Sequence, residues 1–130
     1  GVERDDDDVE RVLLRLTQPR ALALCRSRRN GLFRFVFGRP ATACVGLSEE
    51  QARARYPEID VYTSRFRPMK HTLSGRDTRT LIKLIAERGS GRVLGCHMLG
   101  ADAPEIIQAL AVAIRCGATK AQFDATIALH

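Results

Sequence analysis

Residues 92–130, RVLGCHMLGADAPEIIQALAVAIRCGATKAQFDATIALH, constrain the fold of this chain more than any other stretch. Residues 93–99 are a short apolar run between glycines, the pattern of a buried or half-buried strand. Gly100 ends the run. Asp102 then stands where a helix cap belongs, Glu105 three residues on completes a capping-box spacing, and Pro104 falls in the first turn, where its missing N–H costs nothing. Ile106, Ile107, Leu110, Ala111 and Ile114 recur at helical spacing and predict one wide apolar face. Arg115 suits the negative end of the helix dipole, and Gly117 suits the left-handed residue just past a helix. Thr119 opens a second helix, with Gln122 at the reciprocal capping position and Phe123 as its apolar anchor. Strand, turn, long helix and short helix form a rigid unit whose apolar face must be covered by the rest of a sheet.

Upstream, the pattern from Phe33 supplies that sheet. Phe33, Phe35 and Phe37 alternate with Arg34 and Val36 as a strand requires, until Gly38-Arg39-Pro40 interrupts. Ser48 caps a helix with Gln51 as its capping-box partner; Glu49 and Glu50 favour the first turn, and Pro57 marks the end. Residues 61–66 read as a strand, residues 73–77 as a Ser-Gly turn and residues 80–86 as a further strand. Residues 87–91 form a hairpin turn into the strand that follows. The expected order is strand, helix, three strands, two helices. Short turns between strands predict an α+β fold, a mostly antiparallel sheet with helices packed on one face.

A chain of 130 residues with 45% hydrophobic content suits one domain with a real core. No run approaches the ~18 apolar residues of a membrane span, no N-terminal pattern of a signal peptide is visible, and no membrane association is expected. Cys25, Cys44, Cys96 and Cys116 lie far apart, without the spacing of a zinc site or a redox CxxC pair, so reduced thiols and no metal are expected. The net charge of +6 raises the question of nucleic acid. Sparse aromatics form no stacking platform, and the charge reads as a solvated surface, so no nucleic-acid partner is expected. Residues 1–34 stand apart. Residues 1–10 carry six acids against one arginine, and residues 11–34 carry seven arginines and no acid. Opposite charge blocks read as a solvated, disordered arm.

The stretch HMLGADAPEIIQALAVAIRCGATKAQFDATIALH, together with FRPMKHTLSGRDTRTLIKLI (residues 66–85) and CVGLSEEQA (residues 44–52), resembles the C-terminal dimerisation domain of the FAD-dependent pyridine nucleotide–disulfide oxidoreductases, most of all its glutathione reductase branch. The three motifs fall in the family's order, and the resemblance covers residues 36–130. It divides the chain into an unmatched arm, residues 1–34, with an out-of-frame origin as a second expectation, and a dimerisation domain, residues 35–130. Family members continue beyond the motif histidine with Pro-Thr and a paired glutamate, so the domain is expected to be truncated here at its C-terminus.

The chemistry implied by the resemblance is specific. In that family NADPH reduces FAD, FAD reduces a cysteine pair, and a thiolate attacks glutathione disulfide or a related substrate. The motif histidine, here His130, serves as acid and base at the partner subunit's site, a role suited to an imidazole whose ordinary pKa is ~6.5. Met69 matches a position near the disulfide substrate, with gap-filling as its alternative role. Read by its residues alone, the chain has no GxGxxG after a strand and no redox cysteine pair. FAD and NADPH are therefore expected in a parent enzyme and no cofactor in this chain, which is expected to be inactive alone, to form a homodimer, and to belong to the cytoplasm, a plastid or a mitochondrion. His97 reads as a satisfied core histidine on one strand face with Val93, Gly95 and Leu99; His71 lies in a polar connection; Arg67 and Lys70 read as surface cations. Two other readings stand beside this one: a self-standing oxidoreductase, and a basic α+β module that binds nucleic acid or another partner without redox chemistry.

Overall fold

The computed structural model describes residues 33–36, as backbone, and residues 41–126. Within them the chain runs β1 (Phe33–Val36), β2 (Thr42–Gly46), α1 (Glu49–Arg55), β3 (Ile59–Phe66), α2 (Lys70–Ser74), β4 (Thr80–Glu87), β5 (Val93–Leu99), α3 (Ala103–Arg115) and α4 (Lys120–Ala125). The strands form one sheet in the order β1-β2-β5-β4-β3, with every pairing antiparallel. Strand β5 lies in the middle, flanked by β2 and β4 and covered on both faces, so all seven of its residues are buried. Its near-continuous apolar composition follows from that position.

The β4–β5 hairpin closes where the glycines predict. The Gly91 N–H donates to the Glu87 carbonyl at 2.8 Å, the Glu87 N–H donates to the Arg92 carbonyl at 2.9 Å, and Gly91 holds the φ of 70° that the turn needs. The pairing shifts register between Ile85 and Ala86: Ile85 faces Gly95 but Ala86 faces Val93, which leaves Leu94 as an extra residue. This bulge puts Val93 and Cys96 in the cluster beneath α3 and Leu94 in the cluster on the other side. His97 therefore shares its face with Gly95 and Leu99 but not with Val93, which corrects the simple alternation expected from sequence.

Helix α3 packs on β2 and β5. Its buried residues Ala103, Ile107, Ala111 and Ile114 meet Ala43, Val45, Val93, Cys96 and Met98, with Ile82, Leu84, Leu110 and Phe123 at the margin. The short helix α1 contributes Ala52 to a second cluster with Ile59, Ile85 and Leu94. The approach there is close: a Cβ at Gly95 would lie 2.2 Å from the Leu47 carbonyl oxygen, so only glycine lets the loop into α1 press onto the sheet.

The capping residues behave as their types demand, with one exception. Ser48–Gln51 and Thr119–Gln122 both form complete capping boxes. Helix α3 ends with the Gly117 N–H donating to the Ile114 carbonyl and the Ala118 N–H to the Ala113 carbonyl, with Gly117 at φ 76°. Asp102 does not cap α3. It is itself left-handed, at φ 64°, with no side-chain bond to the helix, and its carboxylate instead takes Lys70 Nζ at 3.2 Å. Two elements also differ from the sequence reading. Strand β2 is distinct from β1, since the Thr-Ala-Cys-Val run alternates too weakly to announce itself and is defined by its neighbours. Helix α2 replaces the upstream part of an expected turn; it is a single turn of five residues, stopped by Gly75 at φ 68°, and too short to show a helical period.

Candidate functional site

Helix α3 presents two apolar faces because its hydrophobic arc is wider than the sheet can cover. Ile107, Ala111 and Ile114 point into the core. Ile106 is 40% exposed and Val112 63% exposed, and Ala109 is exposed as well, while Leu110 and Ala113 are half-buried. Successive helical residues are offset by ~100°, so Ile106, Ala109 and Ala113 share one strip beside the buried face. Small residues in the strip let a second helix approach closely. No such helix lies on it among the described residues.

Met69 stands at the start of α2, 83% exposed, beside Leu73 at 96% and Phe66 at 44%. It fills no gap in this chain, and these three side chains make an apolar knob on the surface. Around the knob, Arg67 donates from Nη2 to the His71 carbonyl at 2.8 Å, and Lys70 pairs with Asp102. Both cations are exposed, as a surface role requires. His71 is half-buried within α2.

The polar groups inside the domain hold it together. His97 is buried, with Nε2 3.0 Å from the Leu47 carbonyl oxygen, which ties β5 to the loop entering α1. Cys44 and Lys83 flank it in register on β2 and β4. Lys83, with its side chain only 12% exposed, reaches Glu49 at the start of α1. Hydrogen bonding to Lys83 holds the Glu49 carboxyl below the usual carboxylate range, against the opposing effect of burial, with Arg53 adding to it. Burial pushes the Cys96 thiol up from an ordinary 9.0 to about 12, so it stays protonated and inert near neutral pH. Cys116, at the end of α3, is exposed.

His130 lies outside the described residues. The segment leading toward it is anchored at its root: the Val93 N–H donates to the Ala118 carbonyl at 3.0 Å and the Lys120 N–H to the Gly91 carbonyl at 2.8 Å, and Phe123 packs against the core beneath α3. Among the described residues Met69 stands at the start of α2 without a second candidate catalytic side chain beside it in hydrogen-bond contact. The residues themselves argue against a pyrophosphate at the junction from β5 into α3, the longest helix among the described residues. Asp102 and Glu105 place carboxylates at that helix start, and Pro104 removes an N–H that a phosphate would need. Among the described residues no helix is long and apolar enough to cross a membrane.

The family model for the pyridine nucleotide-disulphide oxidoreductase dimerisation domain matches residues 32–130. The chain belongs to this family. Its relatives include glutathione reductase of Burkholderia cepacia, 56% identical over 73% of this chain and 21% of that protein. The chloroplastic/mitochondrial glutathione reductase of Pisum sativum is 54% identical over 73% of this chain and 17% of that protein. Trypanothione reductase of Leishmania donovani is 40% identical over 73% of this chain and 20% of that protein. The HOCl-induced flavoprotein disulfide reductase RclA from Escherichia coli has the same fold, with a TM-score of 0.67 and 28% identity over 78% of this chain and 23% of that one. The chain spans about a fifth of the length of the curated relatives it matches. As a dimerisation domain, the chain carries an α+β fold with an antiparallel sheet, as expected, but its helices do not share one face: α3 covers the cluster with Val93 and Cys96, and α1 covers the cluster with Leu94 on the opposite face, because β5 is central and needs cover on both sides. Sequence reasoning overlooked its long-range contacts, among them Glu49 with Lys83, Asp102 with Lys70, Arg88 with Asp60, and Lys120 with Tyr62. Each joins residues distant in the chain, and no spacing rule connects them.

Proposed function

We propose that residues 35–130 are the dimerisation domain of a glutathione reductase-like flavoprotein that reduces glutathione disulfide with NADPH, through FAD and a redox cysteine pair held by other parts of the enzyme. The observation that carries the reading is the family match through residues 32–130 joined to an uncovered apolar strip on α3. In this reading two copies pair through α3, and each places its His130 at the other's disulfide site. The imidazolium then protonates the departing thiolate, which leaves as the thiol, and the ring takes a fresh proton from solvent before the next cycle, since its ordinary pKa lies near neutrality. Met69, on its exposed knob, is the residue that meets the disulfide substrate. The chain alone is expected to hold neither FAD nor NADPH: the β5–α3 junction repels phosphate, as described above, and the purified chain should be colourless and without NADPH-dependent disulfide reduction.

A chimaera tests the catalytic part. Residues 35–130 replace the matching segment of the Burkholderia cepacia glutathione reductase, with that enzyme's own sequence continuing after His130. The chimaera should turn over, and His130→Ala should lower kcat by roughly 10²–10⁴, the usual contribution of a positioned acid and base. Turnover of His130→Ala at the chimaera's own rate would remove the role.

A further inference from the structure

Helix α4 is six residues long and buries none of them completely, yet it begins with a cation in an unfavourable place. Lys120 occupies the first turn, where the helix dipole is positive. Its acidic partner Asp124 comes four residues later, the weaker order for such a pair. Local electrostatics therefore does not explain Lys120. A distant residue does: Lys120 Nζ lies 4.5 Å from the centroid of the Tyr62 ring. Tyr62 belongs to the edge strand β3, paired with Leu84 of β4, which in turn faces Cys96 of β5. The lysine side chain is 25% exposed while Asp124 is 62% exposed, so the stem is covered and the carboxylate closes over the ammonium from the solvent side.

The rest of the anchorage is concentrated at one end. The backbone bonds from residues 118 and 120 reach only the start of β5, and Phe123 supplies one half-buried side chain. These fix where α4 begins. A contact across two strands to Tyr62 fixes which way it points. We propose that Tyr62 and Lys120 form a clamp that orients α4, and so act as positioning residues for the segment that runs on to His130. The inference rests on the role given to His130 above.

The clamp is tested first in the 130-residue chain, by amide hydrogen exchange. Tyr62→Leu and Lys120→Met should each speed exchange in α4 about tenfold while β5 amides keep their rates. Tyr62→Phe keeps a ring face and Lys120→Arg keeps a cation, and both should exchange as the parent does. Unchanged exchange in α4, or equal acceleration in β5, overturns the clamp. In the chimaera, Tyr62→Leu should lower kcat about tenfold with the KM for NADPH unmoved, and Tyr62→Phe should restore it. Full activity of Tyr62→Leu beside an inactive His130→Ala overturns the positioning role alone. Full activity of His130→Ala overturns the histidine's role and the catalytic consequence of the clamp, and leaves the exchange result to decide the clamp itself.

Discussion

Cys96 and Cys116 are the same residue type, twenty positions apart, with opposite chemistry. Cys96 is fully buried between β2 and β4, and burial holds its thiol up at about 12. Cys116 sits exposed at the end of α3. Iodoacetamide at ~pH 8 should therefore modify Cys116 in the native chain and leave Cys96 intact until the chain is unfolded, as peptide mass analysis would read. The same shift sets an alkaline limit. The unfolded thiol ionises near 9.0 and the folded one near 12, so the unfolded state loses its proton first. Stability is unaffected below the lower value and falls as pH climbs toward the higher one, by up to ~1.4 kcal/mol per pH unit from this group. Urea unfolding at several alkaline pH values, compared with Cys96→Ala, isolates that part. A variant with the same alkaline loss would assign it elsewhere.

Helix α3 shows how one element serves two neighbours. The buried side, Ile107 with Ala103, Ala111 and Ile114, binds it to the sheet, and its start and end are set by Pro104 and Gly117. Ile107 is completely buried in the main cluster, so Ile107→Ala should cost about 2–5 kcal/mol, the usual range for a large-to-small change in a packed core. Denaturant titration would measure it, and a loss under 1 kcal/mol would mean that the cavity refills. The other side is only partly covered in the single chain, with Ile106 40% exposed. Ala109 is exposed and Ala113 half-buried, so Ala109 is the alanine more open to a second helix.

Among the described residues, the strip on α3 and the knob of Phe66, Met69 and Leu73 are apolar and uncovered. Monomeric proteins seldom leave such regions open, and obligate dimers commonly bury more than ~2,000 Å². The chain should form concentration-dependent dimers in analytical ultracentrifugation. Ala109→Glu should weaken them at least tenfold while leaving the circular dichroism spectrum in place, and the unfolding midpoint in place at concentrations where both chains are monomeric, because Ala109 is exposed in the single chain. A clean monomer at high micromolar concentration, or an unaffected Ala109→Glu dimer, would set aside pairing through α3.

Much of this fold is written locally. Capping boxes at Ser48 and Thr119, the hairpin turn of residues 87–91, the left-handed Gly117 and the helical period of α3 are short-range effects of side-chain chemistry and backbone sterics, and each was readable from neighbouring residues. The family of the domain was legible for the same reason, since its three motifs are contiguous runs. Tertiary contacts decided the rest. Asp102 had the type and spacing of a cap, yet Lys70 from another element claims its carboxylate and the backbone there turns left-handed. Strand β2 exists because β1 and β5 complete its hydrogen bonds, not because its own residues insist on it. The bulge at Leu94, the Glu49–Lys83 pair and the reach of Lys120 to Tyr62 depend on which elements become neighbours. Local propensity acts over one or two turns, whereas these contacts join residues tens of positions apart, and only the assembled sheet brings them within bonding distance.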